Sequence, residues 1–268
     1  MTTIRGTLIN RPGSYLGVGE VVRLGDFDIY FYDFVDSTQD LARSLGEVRE
    51  FTTIVARVQR KARGRFGREW CSPQGGLWFT TILYPKTSVS TYAILCLLTS
   101  LSIARAIEDV TRLNASIKWP NDVYVNGKKI AGVLIESDVI NNIVEKVLVG
   151  VGLNLNFRID ALPEELRGRA TTLLEEYGKP VDLEFFLLKI LHELKKNYEE
   201  YKAGSHYKLI ESIKSRMEIL GKLVFIHLSS GKLIGVVRDL EVNGDLVVES
   251  SDTKFILNPS DIRKLEVI

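Results

Sequence analysis

The stretch Gln59-Arg-Lys-Ala-Arg-Gly-Arg-Phe-Gly-Arg-Glu-Trp70 places five cations and two glycines in twelve residues, between two apolar runs. Residues 52–58 before it and 77–83 after it read as buried strands. A basic, glycine-kinked loop held between core strands is positioned to wrap around something small and anionic. Gly64 and Gly67 permit positive φ and let backbone N–H groups approach a ligand. Arg63 and Arg65 offer planar, permanently charged forks suited to a carboxylate or phosphate. On composition alone a second reading stays open, a solvated cationic loop or a nucleic-acid patch.

With 268 residues the chain has room for one large domain and one small one. A hydrophobic content of 45% supports a sizeable core. Lys+Arg 35 against Asp+Glu 34 is nearly balanced, so the loop's cations are local and no general polyanion surface is implied. Cys71 and Cys96 show neither metal-ligand spacing nor a disulfide framework, which fits a reducing cytoplasm. The start lacks the apolar segment of a signal peptide. The longest apolar stretch, near residues 92–98, falls far short of the roughly 20 residues of a membrane span.

Residues 1–26 read as loops with at most one edge strand, and Gly17 and Gly19 as plain turns. Strand 28–35 is followed by Asp36-Ser37-Thr38, capping residues for a helix over 39–45 that ends at Gly46. A long amphipathic helix covers 91–113. Segments 117–119 and 123–125 flank Pro120-Asn121, and Asn126-Gly127 is a type I′ hairpin signal. Strands 129–137 and 144–152 meet at Asn141-Asn142, and helices follow over 183–201 and 207–216. From Gly221 the texture changes to short apolar runs, 223–228, 233–237, 246–249 and 254–257, separated by turn residues. Such spacing predicts a small all-β barrel, giving a division into 1–218 and 219–268.

Lys118-Trp-Pro-Asn-Asp122 sets a cation, an amide and a carboxylate close together at a strand end. Such a cluster can hold a charged substrate, order a metal or receive a proton, and it can also be a structural turn. Lys129 opens an apolar strand and would be drawn partly into the core unless an anion met it. Gly150-Val-Gly152-Leu-Asn154 ends a strand with two glycines, which implies close approach of a backbone or a ligand. The three histidines, His192, His206 and His227, lie apart from these clusters, and no Ser/His/Asp arrangement is visible.

Taken in order, Asp36-Ser-Thr-Gln39, Arg63-Gly-Arg65-Phe-Gly-Arg68, Lys118-Trp-Pro-Asn-Asp122, Lys129-Ile-Ala-Gly132 and Gly150-Val-Gly-Leu-Asn154 resemble the successive signatures of biotin protein ligases. The resemblance runs from about Asp28 to Asn156, and the β-rich tail is similar to that family's SH3-like C-terminal domain. Two positions depart from the family pattern: Ala62 replaces a glycine, and Gln39 stands where Asn is usual.

The resemblance implies an α+β fold, a mixed and largely antiparallel sheet packed with helices of the class II synthetase-like kind, plus the SH3-like barrel. It implies ATP-dependent, AMP-forming activation of biotin to biotinyl-5′-AMP, then transfer to a lysine of a biotin carboxyl carrier domain. Mg²⁺ accompanies the ATP phosphates, with no protein ligand assigned. Carried onto this chain, catalysis falls to Arg65, Lys129 and Asp122. Ser37, Thr38, Gln39, Gln59, Arg63, Gly64, Gly132, Gly150 and Gly152, with Arg65 and Lys129, line the biotin side. The nucleotide side takes Arg63, Arg65, Arg68, Lys118, Trp119, Asn121, Lys129 and Asn154. Trp70 and Trp78 would be apolar walls or plain core.

The resemblance also implies a cytoplasmic homodimer. About 27 residues precede the first catalytic strand, and they lack the helical period of a winged-helix module, so no DNA binding is expected; the short apolar stretches give no expectation of membrane association. Two alternatives stand beside this reading: a lipoate ligase or octanoyltransferase of the same superfamily, and an RNA-binding protein using the Arg-Gly loop. The first is expected to carry a different arginine loop or an activated cysteine, and the second a stronger positive charge.

Overall fold

The computed structural model describes residues 20–89 and 94–268. Gly17 and Gly19 lie outside the described residues, as does the beginning of the helix expected from residue 91. Strands β1 (Glu20–Leu24), β2 (Phe27–Val35), β3 (Thr53–Gln59), β4 (Leu77–Leu83), β5 (Thr87–Ser88), β6 (Ala115–Lys118), β7 (Asp122–Val125), β8 (Lys128–Ile140) and β9 (Ile143–Leu153) form a nine-stranded sheet. Their order is β1-β2-β3-β4-β9-β8-β7-β6, with β5 beside β9. Among the described strands only β2 and β3 run parallel, and the crossover between them is helix α1 (Thr38–Ser44), whose N-cap is Ser37. Asn126 and Gly127 have φ of 49° and 74°, and Asn141 and Asn142 have φ of 49° and 64°. Both tight hairpins therefore use two consecutive left-handed residues, as the type I′ turn requires.

The remaining helices are α2 (Ile94–Thr111), α3 (Glu164–Arg167), α4 (Leu173–Tyr177), α5 (Leu183–Lys202) and α6 (His206–Lys214). The Asp182 carboxylate caps α5 by accepting from Phe185 N–H at 2.8 Å. Alternation along the strands divides the sheet into two unlike faces. Val55, Phe79, Val149 and Val151 join α2 and α5 in the main core. Ile54, Ala56, Ile82 and Leu148 point the other way, onto Leu41 and Ala42 of α1. The short helices α3 and α4 go unread in the sequence because four and five residues are too few to show a helical period.

A second sheet contains β10 (Leu223–Leu228), β11 (Gly231–Leu240), β12 (Leu246–Ser250), β13 (Thr253–Leu257) and β14 (Ile262–Val267). All neighbours are antiparallel, in the order β13-β12-β11-β10-β14. This is the small β unit that the strand spacing predicts, with one strand more than the sequence reading names. In β14 the buried residues Ile262 and Leu265 are three apart, and its pairing with β10 shifts register between His227 and Leu228. A bulge of this kind breaks the alternation that would have marked the strand. Val224, Ile226, Val237 and Leu246 from this sheet pack in the same core as α2 and the larger sheet.

Candidate active site

The α1 side of the central strands carries the site, and strand register explains why. Trp78, Gly152, Gly132 and Asp122 stand opposite one another across β4, β9, β8 and β7. Thr80, Gly150 and Leu134 form the adjacent row. Three glycines in these rows leave the floor of a cavity of about 650 Å³. Small-molecule sites commonly occupy about 300–1,000 Å³. A Cβ on Gly132 or Gly152 would lie 2.9 or 2.4 Å from the Trp70 indole, and one on Gly150 would lie 2.9 Å from the Gln39 amide carbon. The close approach expected at these glycines is thus made here by Trp70 and Gln39.

One end of the cavity is polar and closed. Gln59 Oε1 accepts from Thr38 N–H at 2.8 Å and from Thr38 Oγ1 at 3.0 Å. Thr80 Oγ1 donates to Thr38 Oγ1 at 2.8 Å, and Gln59 Nε2 donates to Ser72 Oγ at 3.2 Å. Gln39 is 4% exposed, and its Nε2 donates to Leu134 O at 3.3 Å while its Oε1 is buried without a partner. That assignment of N and O is the sound one, because exchanging them would set two oxygens against each other. The extra methylene of Gln39 relative to Asn lets the amide reach over Gly150.

The other end is cationic. Lys129 Nζ lies 2.6 Å from Asp122 Oδ1 and 5.0 Å from the Trp70 ring centroid. Asp122 is therefore the anion that the position of Lys129 calls for. Lys118 Nζ sits 5.3 Å over the ring of Tyr124, whose phenol burial pushes up to about 12. Arg65 Nη2 donates to Pro259 O at 2.5 Å and Ile262 O at 3.1 Å, and Arg68 Nη2 to Arg263 O at 3.5 Å. Residues 262–266 of the second sheet consequently form a wall of the cavity.

Within the loop, the backbone differs from the sequence expectation. Gly67 has φ of 71°, but Gly64 has φ of −103°, and the left-handed partner of Gly67 is Phe66 at φ of 60°. Gly64 N–H instead bonds Arg68 O at 2.7 Å, closing the turn. Ala62 is buried, and its carbonyl accepts from Trp70 N–H at 3.0 Å. Its φ is not positive, so alanine serves there without strain.

Every residue that the resemblance assigns to catalysis, to biotin or to the nucleotide borders this one cavity. Their side chains, however, do not all face it. Arg63 forks onto Glu136, with Nε–Oε1 at 3.1 Å and Nη2–Oε2 at 3.2 Å, and reaches Asp40 at 2.8 Å. Trp119 is 2% exposed in the main core, and its Nε1 donates to Gly244 O at 2.9 Å, toward the second sheet. Asn121 Nδ2 bonds Val133 O at 3.0 Å and Asn154 Nδ2 bonds Thr171 O at 2.9 Å, which leaves their side-chain oxygens for a ligand. Trp78 is fully buried against Phe157 and Leu162, so of the two tryptophans weighed as walls only Trp70 is one. Sequence reading missed Thr80, Leu134, Arg169 and the 262–266 wall, since a threonine inside an apolar strand and a distant β strand carry no local signal of a site.

The fold and cavity match a known class: residues 31–154 fit the biotin/lipoate A/B protein ligase family. Among solved structures, the biotin protein ligase from Aquifex aeolicus in complex with biotin and ATP is 35% identical, with a TM-score of 0.80, covering 90% of this chain and 99% of that one. The bifunctional ligase/repressor BirA of Bacillus spizizenii is 33% identical over 201 residues, which are 72% of this chain and 62% of that protein. This chain thus spans about three-fifths of that relative's length. The biotin–[acetyl-CoA-carboxylase] ligase of Paracoccus denitrificans is 28% identical over 214 residues, 78% of this chain and 88% of that protein. The chain belongs to the biotin protein ligase family.

Proposed function

We propose that this protein joins the carboxylate of biotin to the α-phosphorus of ATP, releasing pyrophosphate, and then passes the biotinyl group from AMP to a lysine amine of a biotin carboxyl carrier domain. One observation carries this reading: a single glycine-floored cavity joins a buried polar group, Ser37, Thr38 and Gln39 near Gly150, to cations, Lys129 among them, near Gly132 and Asp122. A ligand with a hydrogen-bonding head, an apolar body and an acidic tail fits that gradient. The head would meet Ser37, Thr38, Gln39 and Gln59, and the tail would meet Arg65 and Lys129. The nucleotide would lie toward Lys118, Asn121 and Asn154 under the 262–266 wall.

Two anions must be brought together in the first step. At about 4 Å they repel by roughly 4 kcal/mol at an effective dielectric near 20, so the cations at the mouth are a requirement of the chemistry. Mg²⁺ would enter on the nucleotide phosphates, which is how this ion is often bound. Among the described residues no group of three His, Cys, Asp or Glu side chains is placed to hold a metal. Asp122, paired with Lys129, is the acceptor for the proton or charge of the incoming amine.

Thioester chemistry on a cysteine is disfavoured. Burial and neighbouring Glu69 push the Cys71 thiol up, and burial raises that of Cys96 to about 12, so both stay protonated near neutrality. Among the described residues no helix is long and apolar enough to cross a membrane. The cytoplasmic site and the homodimer are part of the proposal, supported by the family resemblance; among the described strands β1 and β6 are the outermost of the large sheet. ATP-dependent incorporation of labelled biotin into a purified carrier domain tests the function, and no incorporation would end it.

Gln39 gives a sharper test. A buried acceptor without a partner costs about 1–3 kcal/mol, which a ligand N–H would recover. Gln39→Met should therefore bind biotin about 10-fold more weakly with no loss of melting temperature. Calorimetry and thermal melts read the two effects, and unchanged biotin affinity would remove Gln39 from the head-group site.

A further inference from the structure

Three elements are joined by a chain of charges beside the polar end of the cavity. Asp40 and Arg43 lie on α1, Arg63 on the basic loop, and Glu136 and Asp138 on β8. Arg63 contacts Asp40 Oδ1 at 2.8 Å and Glu136 Oε1 at 3.0 Å. The same glutamate accepts from Arg43 Nη2 at 2.9 Å, and Arg43 Nη1 reaches Asp138 at 3.0 Å. Acid and base alternate along this chain of five, and three acids face two cations. The Asp40 carboxylate and Glu136 hold the Arg63 guanidinium above its ordinary pKa, against the opposing effect of its burial.

We infer that Arg63 is a strut and Glu136 its anchor, both positioning residues, and that neither binds the reacting anions. This rests on the biotin ligase reading of the cavity and revises the place of Arg63 within it. Nε and Nη2 of Arg63 are spent on two carboxylates, and both two-pronged edges of a guanidinium use Nη2, so no bidentate seat is left for a third acid. The pairing has a clear mechanical consequence. Gln39 precedes Asp40 on α1, and its amide bonds Leu134 O, two residues before Glu136. Along the loop, Arg60 N–H bonds Val35 O, Lys61 N–H bonds Asp36 O, and Lys61 Nζ pairs with Asp36 at 2.8 Å. The first half of the loop is thus sewn to the start of α1, and Arg63 closes the seam onto β8. That seam sets the distance between Gln39 and the strand floor. The second half of the loop, beyond Gly64, carries Arg65 to the mouth.

The experiment is calorimetric titration with biotin and with biotinol, in which an alcohol replaces the carboxylate. It uses the full chain and the variants Arg63→Met, Arg63→Lys and Glu136→Gln, with circular dichroism to confirm folding. Each variant should weaken both ligands by the same factor, about 10-fold. Arg63→Lys should fare no better than Arg63→Met, because the amine keeps the charge and loses the fork.

Arg63→Met weakening biotin at least tenfold more than biotinol would overturn the inference, as would Glu136→Gln tightening biotin or leaving it unchanged. A parent protein that takes up neither ligand, with or without nucleotide, would instead retire the ligase reading itself.

Discussion

Lys129→Ala is expected to slow formation of the biotinyl adenylate by roughly 10²–10³-fold, the range seen when one preorganised charge-stabilising donor is removed. Biotin affinity should change only a few-fold. The separation follows from where Lys129 stands. Its ammonium is at the basic mouth, 2.6 Å from Asp122, while the hydrogen-bonding head of the ligand would lie at the far end with Thr38 and Gln59. Alanine also strips Asp122 of its ion partner and leaves a carboxylate beside two incoming anions. Asp122→Asn on the Lys129→Ala background should therefore recover part of the rate, although each change alone is harmful. Exchange of labelled pyrophosphate into ATP measures the first step, and calorimetry measures biotin binding. Equal losses in rate and affinity would reduce Lys129 to a simple binding group.

Trp119→Ala should destabilise the fold by about 3–5 kcal/mol, the usual cost of truncating a buried aromatic residue. Domain stabilities of about 5–15 kcal/mol make this a loss that threatens folding near body temperature. Trp119 is 2% exposed in the core shared by α2 and both sheets, and its Nε1 donates to Gly244 O in the turn before β12. Trp119→Phe keeps most of the apolar contact and breaks only the hydrogen bond, so it should cost about 1–3 kcal/mol. Urea unfolding followed by circular dichroism gives both values. An alanine variant within about 1 kcal/mol of the parent would show that this indole is not the tie between the sheets, since truncations that mild belong to sites that collapse or are exposed.

Much of the architecture could be read from local pattern. The strands on either side of the basic loop, the Asn-Gly hairpin, the helix capped by Ser37 and four of the five C-terminal strands all announce themselves through periodicity and turn chemistry. The strand β14 does not, because a bulge disturbs its alternation. The residues assigned to catalysis, biotin and nucleotide were also legible as a set, and all of them border one cavity. Their individual orientations were not. Nothing near Arg63 in the chain names Glu136, 73 positions away, as its partner. Nor does anything near Arg65 name the carbonyl of Pro259, 194 positions on.

Residue types and their spacing along this chain therefore determined which segments become strands and helices, and which charged and glycine-rich stretches collect at a strand end. Those are consequences of short-range sterics, capping and apolar periodicity, which act within a few residues. Only the assembled tertiary structure decided that Arg63 is consumed by two carboxylates and that Trp119 faces the second sheet. It alone made Trp70 and Gln39 the covers of the glycine floor. Such outcomes depend on which distant group first satisfies a buried donor or fills the space above a glycine, and that competition is settled by packing in three dimensions.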